Sequence, residues 1–229
     1  MLPLLLVLIP WAALAQPVDL PQDEVLERAL WRAQALVQVR DWEAAVEALT
    51  ALESEYPRRP EVILALGALY EDLGQLDLAE ETYARLTVHD EALEALGRLL
   101  EETRPSEAVE VYQRLQWIRH TEAGPIRLEA RAAIKAGDLE IALAALSRYL
   151  NFPDEDVPRP EDADLLLELA IALLSANQPE EGRSLLERLV GEFTEGEALA
   201  EAEALLDRFD VEEEARRFPA WGRSEPLSP

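Results

Sequence analysis

Residues 60–84 read PEVILALGALYEDLGQLDLAEETYA. Ile63, Leu66 and Tyr70 recur at helical spacing, with Gly67 beside Leu66. A recurrence of three and four residues places side chains on one face of a helix. Gly74-Gln75-Leu76 then interrupts the run, and Ala79 and Tyr83, four apart, begin a second one. The stretch therefore predicts two antiparallel helices joined by a tight turn. Small residues at Gly67 and Ala79 let the two axes approach, and the bulk of Tyr70 and Tyr83 fills the space on either side. The turn requires a residue that tolerates a left-handed backbone, which Gly74 supplies.

The pattern recurs on both sides of this stretch. Upstream, Ala33, Leu36, Arg40-Asp41-Trp42, Ala45 and Leu49 take the matching places, with Pro57 behind them. Downstream, a third unit has Leu96, Leu99, Pro105, Ala108 and Tyr112. A fourth has Ala130, Ala133, Gly137-Asp138-Leu139, Ala142 and Leu146. A fifth has Leu169, Ala170, Leu173, Asn177, Gly182 and Leu186. The small residue of the second helix is thus Ala45, Ala79, Ala108, Ala142 and Gly182, at spacings of 34, 29, 34 and 40. The spacing of 29 predicts a shortened connection around Thr87 to Glu91, and that of 40 an inserted loop from Asn151 to Pro160. Three prolines in that loop block helix continuation.

Ile63, Leu66-Gly67, Tyr70, Ala79 and Tyr83 resemble the tetratricopeptide repeat signature, with Ile63 where the family has Trp. The resemblance spans about Leu26 to Thr194, as five degenerate repeats. It implies an all-α fold, a right-handed α-solenoid of antiparallel helix pairs. The expected organisation is a signal peptide over 1–15, a linker over 16–25, the five-pair array over 26–194, capping helices over 195–218 and an irregular tail over 219–229. Within the capping segment, Gly196 to Phe209 reads as one helix and Val211 to Phe218 as a short partner. The rival architecture is an ordinary helical bundle, against which the recurring small-residue register counts.

Composition agrees with a helical protein. Leu, Ala, Glu and Arg dominate, and all four favour helices. The formal net charge of −26 disfavours nucleic acid and anionic membranes as partners. A hydrophobic fraction of 49% is too high for an acidic disordered chain. The absence of Cys removes disulfides, thiol catalysis, cysteine zinc sites and a lipoprotein anchor. The opening MLPLLLVLIPWAALA is too short to span a bilayer and ends in the small-x-small motif Ala13-Leu14-Ala15. Cleavage after Ala15 and a periplasmic or secreted location are expected, with no transmembrane span remaining.

Nothing in the sequence points to catalysis. His89 and His120 lack metal-ligand spacing and fall near predicted helix ends. Gly67 and Gly74 are repeat positions, with no phosphate loop around them. Acidic pairs such as Glu80-Glu81 and Glu101-Glu102 read as solvated helix faces, and Asp154-Glu155-Asp156 lacks the ligand spacing of a calcium loop. No enzyme activity, cofactor or metal is expected.

The family resemblance implies a protein or peptide partner in a concave groove lined by first helices. Transferring positions gives Leu30, Gln34 and Val37 from the first unit, and Leu64, Ala68 and Glu71 from the second. The third gives Leu93, Gly97 and Leu100, the fourth Arg127, Arg131 and Ile134, and the fifth Leu167, Ile171 and Leu174. Arg127, Arg131 and Lys135 lie at i, i+4 and i+8 and form one basic stripe on a helix. Two readings stand: the stripe holds a partner's carboxylate, or it pairs internally with Glu94, Glu101 or Glu168. The function implied is an exported, non-enzymatic scaffold or adaptor of the cell envelope. The alternative is an acidic, chaperone-like holder of basic or unfolded clients.

Overall fold

Each second helix starts three residues before its small residue. Ala45, Ala79, Ala108, Ala142 and Gly182 are the fourth residues of helices beginning at Trp42, Leu76, Pro105, Leu139 and Pro179. The computed structural model describes residues 22–153 and 158–217. The expected signal peptide, the Asp154-Glu155-Asp156 segment and the tail over 219–229 lie outside the described residues. The described residues form eleven α-helices and no strand. They are α1 Gln22–Gln38, α2 Trp42–Glu55, α3 Pro60–Asp72, α4 Leu76–Ala84, α5 Asp90–Thr103 and α6 Pro105–Ile118. These are followed by α7 Gly124–Ala136, α8 Leu139–Leu150, α9 Asp162–Ser175, α10 Pro179–Glu192 and α11 Glu197–Arg217. The fold is an α-solenoid built of antiparallel helix pairs.

Four of the five turns within pairs share one backbone geometry. Arg40, Gly74, Gly137 and Asn177 have φ of 60°, 70°, 74° and 61°. Each of these residues donates its N–H to the carbonyl three back, and the next residue donates to the carbonyl five back. At Gly74 these bonds are Gly74 N to Glu71 O, 2.9 Å, and Gln75 N to Tyr70 O, 2.8 Å. At Gly137 they run to Ile134 and Ala133, both 3.0 Å. This is the Schellman closure, which satisfies carbonyls that the helix end would otherwise orphan. Asp41 and Asp138 then cap the following helices by accepting from Ala44 N and Ile141 N.

The third pair departs from this scheme. A single residue, Arg104, ends α5 and starts α6, and Pro105 takes the first helical position. The spacing of 29 also has a different origin from the shortened connection expected around Thr87 to Glu91. The second helix α4 has 9 residues, against 14 in α2 and 14 in α6, so most of the loss lies in the helix itself. The expected break near Asp210 is absent as well. α11 runs unbroken for 21 residues, and no helix terminator stands between Phe209 and Val211.

The chain divides into two compact units, Met1–Thr82 and Tyr83–Pro229, with the division inside α4. In the first, α1, α2 and α3 pack on one another around Leu26, Ala33, Ala45, Leu49, Val62, Leu66 and Leu69. In the second, α5 to α11 pack in sequence, and each first helix also touches the next one: α5 with α7, α7 with α9, and α9 with α11. α11 therefore stands to α9 as α9 stands to α7. Close approach within a pair is visible at Gly97, where an added Cβ would lie 2.4 Å from the Tyr112 ring. At Gly182 it would lie 2.7 Å from Leu174 and 3.1 Å from the Ala170 carbonyl.

Candidate binding surfaces

In the first unit, Leu64 and Glu71 on α3 are half-buried and Ala68 is exposed. They stand ten, three and six residues before the turn residue Gly74. The same offsets select Leu30, Val37 and Gln34 on α1, of which Gln34 is exposed.

The third-unit residues are corrected by one position. Leu93, Gly97 and Leu100 are all buried, and Gly97 faces Tyr112 across the pair. Counting back from Arg104 assigns the row to Glu94, Arg98 and Glu101. The one-residue turn removed the left-handed glycine or asparagine from which the register is counted. A slip of one residue rotates a helix face by about 100°.

The basic stripe on α7 is paired internally. Arg131 holds Glu101 of α5 through two bonds of 2.7 Å, and Lys135 Nζ lies 3.0 Å from the same carboxylate and bonds Glu102. Arg127 points the other way and bonds Asp162 at the start of α9. Of the partners expected from the sequence, Glu101 is used; Glu94 instead accepts from Arg119 at 2.7 Å. Asp162, 35 residues from Arg127, had no signal in the sequence.

Each clamped carboxylate also receives a buried phenol. Tyr112 Oη donates to Glu101 at 3.1 Å, and Tyr149 Oη donates to Asp162 at 2.6 Å. Asp162 further accepts the Arg159 backbone N–H at 2.7 Å, which ties the proline-rich insertion to α9. Burial of Glu101 opposes its ionisation, but the bonds from Arg131 and Lys135 outweigh this, and the carboxyl is held below the usual range. Burial first, and then the neighbouring carboxylate, push both tyrosines well above the usual phenol value. The pairing raises Arg131 and Lys135 in turn, chiefly through their bonds to Glu101 and Glu102.

A third buried carboxylate, Glu129 on α7, was not foreseen. It accepts from Gln113 at 2.8 Å and Gln116 at 2.6 Å on α6, and from Arg148 on α8. Trp117, 85% exposed, stands beside this network. Ile171 on α9 is partly exposed and lines a cleft with Leu174 and Ser175, closed from the other side by Leu205, Arg208 and Phe209 of α11.

His89 stands at the N-cap position of α5 without a side-chain cap bond, and His120 is exposed. Among the described residues no cluster of His, Asp or Glu is placed to hold a metal ion. No helix among them is long and apolar enough to cross a membrane.

Paired helices with a fixed small-residue register, Schellman turns and a row of side chains along the first helices define a helix-pair repeat protein of the interaction-module class. The tetratricopeptide repeat family model matches residues 32–90 and 127–197, more than half of the chain, and the protein belongs to that family. No curated protein matches it in sequence. Among solved structures, a MamA protein is 16% identical, with a TM-score of 0.60 over 76% of this chain and 99% of that one. MamA from Desulfovibrio magneticus RS-1 is 15% identical, with a TM-score of 0.57 over 72% and 93%. YrrB, a TPR protein with an unusual peptide-binding site, is 14% identical, with a TM-score of 0.59 over 77% and 90%. At these identities the likeness is one of fold. Proteins of this family are generally non-enzymatic modules that bind peptide or protein partners.

Proposed function

We propose that this protein is an exported, non-enzymatic scaffold that gathers protein partners in the cell envelope. The observation that carries the reading is the repeat itself: within each unit, successive first helices pack on one another and present a row of side chains, a surface suited to an extended peptide or a helix. The leader ending in Ala13-Leu14-Ala15 supports export. Paired arginines and Lys135 on α7 move the candidate contact surface away from the basic stripe, toward the exposed and apolar first-helix positions, Ala68 in the first unit and Ile171 in the second.

The test is expression of the whole gene in a Gram-negative host, followed by fractionation and photo-crosslinking from positions 68 and 171. The expected result is periplasmic protein beginning at Gln16, crosslinked to a small set of partners. Cytoplasmic protein that keeps residues 1–15 refutes export, and absence of crosslinks refutes the scaffold. Broad crosslinking to basic proteins that vanishes with salt would instead support the client-holding reading suggested by the net charge of −26.

A further inference from the structure

Helix α1 turns to water the face on which α3 receives its neighbour. The two helices align through their turn residues, Arg40 and Gly74, whose φ values are 60° and 70°. Arg28, Trp31, Arg32 and Ala35 of α1 then fall where α3 has Val62, Ala65, Leu66 and Leu69. In α3, Val62, Leu66 and Leu69 are buried in one cluster with Leu26, Ala33, Ala45 and Leu49 of the preceding pair. In α1, Arg28 and Arg32 are exposed, Trp31 is 69% exposed, and Val39, one turn beyond Ala35, is 72% exposed. A polar outer face is what an end helix of a repeat array needs for solubility, and the two arginines meet that need. Trp31 and Val39 do not. Trp is the residue most characteristic of the energetic centre of a protein contact. The face is also basic: from Arg28 to Arg40 the chain has three Arg and no Asp or Glu, although it contains 47 acidic residues.

Helix α11 carries the opposite chemistry on its water side. Ala198 and Ala202 are buried, whereas Ala200, Ala204 and Val211 are exposed. Steps of four and seven residues keep these three on one face, and the two alanines let another helix approach closely. Glu197, Glu201 and Asp207 are exposed along the same stripe, with Arg208 as the one cation among them. Between Glu195 and Asp210 there are six carboxylates and one Arg.

We infer that the α1 face of one molecule docks on the α11 face of a second copy, head to tail. Trp31 seats on the step between Ala200 and Ala204, and Arg28 and Arg32 meet Glu201 and Asp207. The occupant is a second copy because one chain carries both halves of the match, a basic face with a projecting indole and an acidic face with a small-residue step. The two faces differ, so the contact is heterologous and each molecule offers one of each. Repulsion between two molecules of net charge −26 opposes it, but physiological salt screens that repulsion beyond about 8 Å and leaves ion pairs at contact distance less affected. The contact goes beyond the scaffold reading and does not depend on which partners the scaffold gathers.

The test is sedimentation velocity at physiological salt on the whole gene product as its host processes it. A contact between two helix faces is small, so association is expected to show at about 100 μM protein. Trp31→Ala, which removes the indole, and Ala204→Arg, which fills the step and reverses its charge, are each expected to leave monomers. Both positions are exposed, so the melting temperatures should match that of the unaltered chain. Mixing these two variants is expected to restore a dimer, because one still has an intact α11 face and the other an intact α1 face. Arg28→Glu combined with Arg32→Glu is expected to weaken association about tenfold. Trp117→Ala, an equally exposed Trp on α6, is expected to leave it unchanged. Benzoylphenylalanine at position 31, in a mixture of light and isotope-labelled heavy protein, is expected to join light to heavy chains at α11. An unaltered chain that stays monomeric overturns the inference, as does a mixture of the two variants that stays monomeric. A crosslink confined to the chain that carries the probe shows that the chain covers its own α1 face and overturns it as well.

Discussion

The two units are held together differently. Around α1 to α3 the buried side chains are apolar: Leu26, Leu49, Val62, Leu66 and Leu69 pack with Ala33 and Ala45. Residues 83–229 have an equally apolar core, but they also bury Glu101, Glu129 and Asp162 to 4%, 1% and 0% exposure. Each of these carboxylates is met by a guanidinium and by at least one neutral donor. Non-directional burial tolerates small shifts of a helix, whereas a bidentate or multiply bonded carboxylate fixes its partner's register. One family thus uses two kinds of joint in one chain.

Removing one member of a clamp is the most severe way to break this comparison. Arg127→Ala strands Asp162 as a buried charge and is expected to destabilise the second unit by about 3–5 kcal/mol. Local hydrogen exchange should show the loss in α7 to α9 and spare α1 to α3. In the first unit, Leu49→Ala deletes buried methyl groups and should cost about 2–4 kcal/mol by leaving a cavity; urea unfolding followed by exchange on α1 to α3 checks it. Gly97→Ala comes next. Its Cβ meets a Tyr112 ring that Glu101 holds by the hydroxyl, so the helix-propensity gain of alanine is overridden by about 1–3 kcal/mol of overpacking. Combined with Tyr112→Leu, the penalty should shrink, which a double-mutant cycle would record.

The mildest probe is pH. The Glu101 carboxyl is held low in the folded chain, so its contribution is complete above the ordinary carboxylate value and is lost as pH falls through its depressed folded value. Acid titration followed by exchange should open α5 to α7 before α1 to α3, whose described core contains no buried carboxylate. Simultaneous opening of both units would contradict the difference in their joints.

Most of the helix-pair architecture was legible because it rests on local chemistry. Small residues at Ala45, Ala79, Ala108, Ala142 and Gly182 mark the fourth position of every second helix, and Gly74 and Gly137 announce their turns. Arg40 and Asn177 adopt the same left-handed conformation without glycine, and the spacing alone located them. What failed depended on distance or on a missing marker. The third unit slipped by one residue because Arg104 replaces the usual turn. The shortening appeared in α4 because spacing counts residues without saying which element lost them. Glu101 was among the partners expected for the basic stripe, yet its phenol from Tyr112 was not. Asp162 and Glu129 looked like any other carboxylates of an acidic chain, since nothing local distinguishes a buried one from a solvated one.

Helix α7 carries Arg127, Glu129 and Arg131 at alternate positions and sends them to α9, to α6 and α8, and to α5. In a linear array whose stability is a sum of repeat and nearest-neighbour terms, such a helix makes the couplings unequal. Opening should therefore begin at the ends of residues 83–229 and halt at α7, which becomes the last protected segment under partial proteolysis. A binding event at α11 would be felt as a change in how far the end frays, and the middle of the unit would stay silent.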